Sequence, residues 1–512
     1  MANPLPEDLF APDDQPRRRG ATSWALVIVA TGVGLGISLL TGTHIALAGI
    51  MIPIVIAAAW SSPSTLLLIL LVWSAELGMI RRLTPGGGNI AFSGDPVLII
   101  APLMVICLVM VASGNGAFRN RSPLASTVLA FNGLAALEVL NPAQGSFLTG
   151  IGGLLFMLVP TLAFWVGRSM VDDDLAFQIV WTVAVLGLLA ALYGLFQQFV
   201  GFPSWDKHWI ETRGYGALNI GNRAYRAFGT MSSGQDYAGF LGLSLVAWVC
   251  LLFSKKTRVI LPLHVAAIVT IGVAIFFESE RSIVFLAMMA LGAVVAASRG
   301  AKPASVAFGA VLGVILLVAT AGAFGGDQGP AQTSHGLLAQ HQVSGLASPT
   351  GADSSLQGHF YQTKHGVLAG FTHPLGHGVG SVTLAASRFN ADTNYNTSSE
   401  YDPGNLGEAF GVAGVLLYAL LLLLVAGTAY RVAVRRRDAV GLFVLGAMLV
   451  SFLQWFNGDL YATTWIVWLV LGIGDGYLSK SDDSVALSLS RPLPEPLVVP
   501  PNQGRWIKHS ES

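Results

Sequence analysis

The side chains able to do chemistry gather in two stretches of the chain, 201–235 and 325–403. Arg223 and Arg226 stand in the first, Arg281 follows it, and Lys364 stands in the second. A guanidinium offers a planar fork of donors that binds phosphate oxygens bidentately, so several arginines beside a membrane core suit a phosphate-bearing lipid. An ordinary solvated loop would carry the same residues, and both uses stay open. Carboxylates come next: Asp392, Glu400 and Asp402. A carboxylate near a hydroxyl can take its proton as a general base, and helix capping or plain solvation are the competing uses. The second stretch also holds His335, His341, His359, His365, His373 and His377. His373 and His377 are four apart, but Pro374 and Gly376 interrupt the helical face that a zinc pair needs. Hydrogen bonding to a sugar or a phosphate fits these histidines better, and plain loop polarity fits His335 and His341. No compact ligand set with metal spacing is visible, so neither a metal nor another cofactor is expected.

The elements that must position these residues are written in the composition. Of 512 residues, 53% are apolar and 11% charged, where an ordinary soluble domain is about 25% charged. A mean hydropathy of +0.63 leaves too little polar surface to cover globular domains. Soluble, nucleic-acid-binding and disordered classes are excluded. Basic and acidic residues balance at 28 each, so bulk charge implies no polyanion partner. The 59 glycines fit close helix packing in lipid. Cys107 and Cys250 lie in apolar runs and read as core fillers.

Apolar stretches of spanning or near-spanning length recur at 23–40, 44–60, 65–80, 96–112, 123–140, 146–167, 176–200, 236–253, 259–277, 282–298, 304–324, 404–430, 439–455 and 460–478. The expected fold is all-α: a polytopic helical membrane protein of about 12–14 transmembrane helices. No cleavable leader is visible ahead of the first stretch. With the Arg17-Arg18-Arg19 end in the cytoplasm, most basic residues fall inside, including Lys255-Lys256 and Arg435-Arg436-Arg437. Both termini are then cytoplasmic. The exceptions face outward: Arg81, Arg82, Lys207, Arg213, Arg223, Arg226, Arg281, Lys364 and Arg388. The expected layout is a disordered cytoplasmic tail over 1–22, spans over 23–324 with an external segment near 201–235, a large external loop over 325–403, spans over 404–478, and a second disordered tail over 479–512.

Within that loop, 325–354 is rich in Gly, Ser, Gln and Ala and reads as mobile. Leu356, Phe360, Val367, Leu368 and Phe371 then fall near helical spacing, which predicts an amphipathic helix on the outer membrane face. A glycine-rich turn follows from Thr372 to Gly380.

Four patterns in order resemble the O-antigen ligase and polymerase superfamily, membrane glycosyltransferases of lipid-linked glycans. Arg226-Ala227-Phe228-Gly229-Thr230-Met231 is similar to the family's Arg-x-x-Gly-Thr-Phe stretch. Glu280-Arg281-Ser282 stands where the family has Ser-Arg-Gly or Ser-Arg-Ser. His373-Pro374-Leu375-Gly376-His377-Gly378-Val379-Gly380 resembles Pro-Leu-Leu-Gly-x-Gly-x-Gly. Glu408-Ala409-Phe410-Gly411-Val412-Ala413-Gly414 resembles Glu-x-Gly-x-x-Gly. The resemblance covers 220–430. Departures are local: the ligases carry a His upstream of the Gly-x-x-Gly pair, where this chain reads Ser398-Ser399-Glu400-Tyr401-Asp402, and His359 replaces an upstream Arg.

The resemblance implies an undecaprenyl-pyrophosphate-linked glycan donor at the outer leaflet of the cytoplasmic membrane and a glycan or lipid-glycan acceptor. The departing pyrophosphate gathers negative charge, which preorganised cations stabilise. Arg226 and Arg281 fit that role, assisted by Arg223 and Lys364, with Glu400 or Asp402 as general base and His359, His373 and His377 as substrate contacts. The rival reading is a transporter or flippase for a polysaccharide precursor. It would need polar groups at mid-membrane depth. Glu76, Glu138, Asp459 and Asp475 all lie close to expected span ends, and no internal repeat is evident.

Overall fold

The computed structural model describes residues 15–41, 44–83, 95–119, 122–213, 219, 224–254, 257, 260–324, 333–347, 355–383, 385–386, 401–456 and 460–490. Among these the chain is 83% helical, in 17 helices, with no strand. The helices are α1 Gln15–Thr41, α2 Ile45–Ser61, α3 Pro63–Leu83, α4 Ile100–Gly114, α5 Pro123–Glu138, α6 Phe147–Met170, α7 Asp173–Phe199 and α8 Ser204–Arg213. After them come α9 Gly234–Leu251, α10 Leu261–Glu278, α11 Arg281–Ser298, α12 Pro303–Phe324, α13 Ser334–Ala347, α14 Ser355–Thr372, α15 Asp402–Arg436, α16 Ala439–Val450 and α17 Thr464–Ser490. Each apolar stretch named from the sequence coincides with one of these helices. Eight are long and apolar enough to cross a membrane, and Ile45–Ser61, Pro303–Ala319 and Ala439–Val450 are shorter apolar helices. The chain is an all-α polytopic membrane protein.

The helix starts follow local chemistry. Ser122, Ser146, Asp172, Ser233 and Asp438 each accept a backbone N–H from the first turn that follows, as N-cap residues do. The outer surface of the bundle is apolar: Phe308 and Ile315 on α12 and Leu416, Leu420 and Leu423 on α15 are exposed. Such a girdle belongs against lipid, where helices satisfy their own backbone groups. Cys107 and Cys250 are buried and free. The closest helix pair is α6 with α17. A Cβ at Gly167 would overlap the Leu469 carbonyl, and one at Gly472 would overlap that of Phe164.

Contacts between helix termini sort the bundle into two ends. One end, here the loop end, joins the C-termini of α3, α7 and α10, the α5–α6 turn, α8, α13, α14 and the start of α15. The opposite end joins the α4–α5 connection, the C-terminus of α6, the start of α7 and the α15–α16 turn.

Two expected boundaries differ. Residues 334–347, inside the stretch whose composition reads as loop, form α13. Its buried Leu338, Gln342, Gly345 and Leu346 recur at helical spacing, a pattern hidden by the Gly, Ser and Gln around them. Helices α1 and α17 also run into the stretches expected as tails, from Gln15 and to Ser490.

Candidate functional site

The Arg226 segment is held from three sides. Gln197 of α7 accepts the backbone N–H groups of Phe228 and Gly229 through one oxygen, at 3.1 and 2.8 Å. Thr230 donates to the Ala75 carbonyl (2.8 Å), and Met79 N–H donates to the Thr230 carbonyl (2.8 Å). Arg82 donates to the carbonyls of Gly229 (2.6 Å) and Met231, and pairs with Asp206 at 2.9 Å. Asp206 in turn accepts from Tyr193 (2.7 Å) and from Gln197 (2.8 Å). Gly229 has φ +52°, a left-handed conformation that suits glycine, and Tyr237 and the Ala190 carbonyl fill the place a Cβ would take. Beside this frame, Arg81 is engaged by Asp95 (2.5 Å) and lies over the Trp209 ring, while His44 sits 2.9 Å from the other Asp95 oxygen. Asp95 titrates at about 2: burial pushes it up, but the His44 contact and the Arg81 charge outweigh burial. Arg81 and Arg82, read as outward-facing exceptions, therefore brace the fold.

Arg226 and Arg281 meet around the α10–α11 turn. Ser279 takes a left-handed conformation (φ 69°) and its hydroxyl donates to the Leu338 carbonyl of α13 (3.3 Å). Glu280 pairs with Arg226 at 2.9 Å through one oxygen and accepts the Ser282 hydroxyl through the other, also at 2.9 Å. Its backbone N–H donates to the buried Glu278 carboxylate (2.8 Å). Arg281 donates through Nη2 to the His341 carbonyl (3.0 Å), and the same nitrogen lies 3.0 Å from His341 Nδ1. Gly345 lies one turn further along α13, where a Cβ would overlap the Arg281 guanidinium. Burial, then the charges of Arg281 and Arg226, hold the His341 imidazolium pKa down from 6.5 to about 4. The imidazole is therefore neutral at physiological pH. The Nε atoms of Arg226 and Arg281 are both buried with no hydrogen-bond partner among the described residues. Two guanidinium groups, each with an unpaired Nε–H, thus converge from separate elements in a corner whose chemistry suits an anion.

The second feature is a turn that enters the bundle. Helices α14 and α15 run in parallel: Gly366 packs on Gly404, and Gly370 on Gly407 and Gly411. The chain after α14 continues inward until Gly380 lies against Gly153, which is about 9 Å along α6 from its first residue. Val379 and Ser381 are buried there. Gly411 breaks α15 at this depth, with φ 63° and ψ −147°. The broken helix and the turn exchange hydrogen bonds. His377 N–H donates to the Glu408 carbonyl (2.9 Å), Gly378 N–H to that of Ala409 (3.0 Å), and Val412 N–H to that of Pro374 (3.2 Å). An uninterrupted helix would have paired Glu408 with Val412. Gln144 accepts Gly380 N–H (3.1 Å), and the Asn141 amide donates to the carbonyls of Leu375 and Gly376 (both 3.3 Å) and to Glu138 (2.7 Å). Irregular backbone at membrane depth persists only when it is satisfied in this way. The same turn sets His377 Nδ1 3.1 Å from Glu408, both side chains about a tenth exposed, with the His373 ring 4.8 Å from that of His377.

The remaining candidates scatter. Asp402 is fully buried, where its carboxylate accepts the N–H groups of Trp455 (2.5 Å) and Phe456 (3.1 Å). This ties the start of α15 to the end of α16. His359 stands edge-on to Tyr401, with ring centroids 5.9 Å apart, and Lys364 is exposed on α14. Arg223, Arg388, Asp392, Glu400 and Asp459 lie outside the described residues. Among the described residues no group of three His, Cys, Asp or Glu is arranged to hold a metal ion. His341, Glu280 and Glu408 carry geometry that their types alone did not announce. The Glu408 break has a sequence trace only in the glycines flanking it.

No protein-family model matches the chain, and no curated protein matches it.

Proposed function

We propose that this protein is a metal-independent membrane glycosyltransferase of the O-antigen ligase and polymerase type. It transfers a glycan from undecaprenyl pyrophosphate to the hydroxyl of a glycan or lipid-glycan acceptor, at the outer face of the cytoplasmic membrane. The observation that carries this reading is the pair Arg226 and Arg281, each with a buried Nε–H unpartnered among the described residues, beside the same turn. As the anomeric C–O bond to the pyrophosphate breaks, its electron pair leaves with the lipid pyrophosphate, and two fixed cations stabilise that charge without reorganisation. Glu280 keeps Arg226 in register before the anion arrives. The buried charged side chains also favour a transferase over a transporter. Arg81, Arg82, Asp95, Arg168, Asp206, Asp236, Glu278, Asp402, Glu408 and Asp475 lie toward one end of the bundle or the other, with no charged row at its centre among the described residues.

The test is reconstitution in liposomes with a polyprenyl-pyrophosphate-linked oligosaccharide, an acceptor glycan, and detection of released lipid pyrophosphate. Wild type consumes the donor and lengthens or caps the acceptor. Arg226→Ala and Arg281→Ala lower turnover by about 10²–10³-fold, with thermal stability retained. A wild-type protein inert toward this donor, or variants as fast as wild type, would overturn the assignment.

A further inference from the structure

The glycine turn and the broken helix bring together a pair of groups that the anion corner does not use. Among the described residues, the His377–Glu408 contact is the one place where a histidine and a carboxylate meet beside a helix interruption inside the bundle. Ionisable groups at such depth are costly and are kept near sites of chemistry. Several features fix this pair. Both His377 N–H and the Glu408 carbonyl are committed to each other, so imidazole and carboxylate descend from one hydrogen-bonded backbone step. Gly378, at φ 92°, packs against Gln144 and Asn141, and Gly376, at φ 67°, packs against the Ala409 carbonyl. A side chain at either position would push the turn away, so the ring is aimed by packing.

We propose that His377, oriented by Glu408, is the proton acceptor for the incoming hydroxyl, a reading that rests on the transferase function. As the acceptor oxygen bonds to the anomeric carbon, its proton passes to Nε2 of His377, and the C–O bond to the pyrophosphate breaks with its electrons. The imidazolium formed is balanced by the Glu408 carboxylate 3.1 Å from Nδ1. Glu408 is a positioning residue that also stabilises the charge. The proton then leaves to water by way of His373, whose ring stands at the exposed edge of the pair. A further carboxylate, Glu138, is joined to the turn through Asn141. The anion corner thus serves the leaving group and the turn serves the nucleophile, as acid–base division of labour requires.

The same liposome assay tests this with His377→Ala, His377→Gln and Glu408→Gln, and with His365→Ala on the exposed face of α14 as control. The expected result is a loss of about 10²–10⁴-fold in transfer for His377→Ala, unchanged donor binding, loss of the acid limb of the pH–rate profile, and partial recovery on adding imidazole. Glu408→Gln lowers turnover less and shifts that limb. His377→Gln guards against misfolding, since glutamine retains a polar side chain at the turn. Wild-type turnover in both His377 variants, while Arg281→Ala is slow, overturns the proton acceptor and leaves the transferase reading standing. Loss of donor binding without imidazole recovery also overturns it, by assigning His377 a structural role. A wild-type protein that does not consume the donor defeats both readings together.

Discussion

The two ends of the bundle use arginine in opposite ways. At the end opposite the loops, Arg168 has every nitrogen engaged: Nε on Asp475 (2.7 Å), Nη1 on the Ala117 carbonyl (3.0 Å) and Nη2 on Ser479 (3.3 Å). Asp475 is completed by Ser122 at 2.6 Å. Arg436 is likewise bound by Asp438 and Asp173, and stacks on Tyr477. These groups join α4, α5, α6 and α17, and α7 to α15. At the loop end, Arg81 and Arg82 are buried and paired with Asp95 and Asp206, whereas Arg226 and Arg281 are only half-buried, and each keeps an Nε–H that no described group accepts. A saturated guanidinium is a rivet. A half-buried one with a donor to spare has the chemistry of a receptor. What separates the two groups is depth and partner: Arg81, Arg82 and Arg168 are buried against carboxylates, while Arg226 and Arg281 stand half-buried beside the α10–α11 turn.

Substitution can break that contrast. The largest stability effect should come from Arg168→Ala, which leaves Asp475 buried beside a missing partner and should cost about 3–5 kcal/mol, read as a fall in Tm in detergent. Arg226→Ala should leave Tm almost unchanged while slowing the proposed transfer by about 10²–10³-fold. If Arg226→Ala lowered Tm as far as Arg168→Ala, the two ends would be alike and the distinction would fail. A smaller loss belongs to Asp402→Asn. It removes charge and one acceptor from the N–H groups of Trp455 and Phe456, so a stability loss of about 1–3 kcal/mol is expected, with transfer retained in the protein that remains folded.

The smallest effect concerns pH. His341 titrates near 4 in the folded protein against an ordinary 6.5, so the unfolded chain takes up its proton first. Stability should therefore fall as pH drops from 6.5 toward 4. His341→Gln should flatten that slope in thermal melts across the same window. The effect is small because His341 is half-buried and solvent screens its charge. An unaltered slope in the variant would mean that the histidine is not held against the two arginines.

How much of this was legible in the chain follows from the range of each interaction. Apolar stretches are a local property, and each stretch named from hydropathy coincides with a helix. Arg226 and Arg281 could be singled out from the chain as well, because few charges interrupt it. What could not be read were pairings across long sequence separations. Arg82, named only as an outward-facing exception, pairs with Asp206, and Asp402, a candidate base, is engaged by the backbone of Trp455. Hydropathy also records no dihedral angles, so the stretch from 404 to 430 read as one span although Gly411 breaks its helix. Composition misled once, at 334–347, where small and polar residues disguised the buried leucine spacing of α13.

The turn between α14 and α15 carries a consequence for biogenesis. Its backbone partners are made at very different times: Gln144 emerges early in synthesis, Gly380 much later, and Val412 later still. The α5–α6 hairpin must wait in the bilayer with one amide oxygen reserved until Gly380, 236 residues further along the chain, has been made. Only after α15 inserts can Pro374 and Glu408 find the groups that complete them. The loop end thus closes last, and a ribosome stalled before α15 would leave a bundle whose opposite end can already begin to assemble but whose glycine turn still lacks its partners.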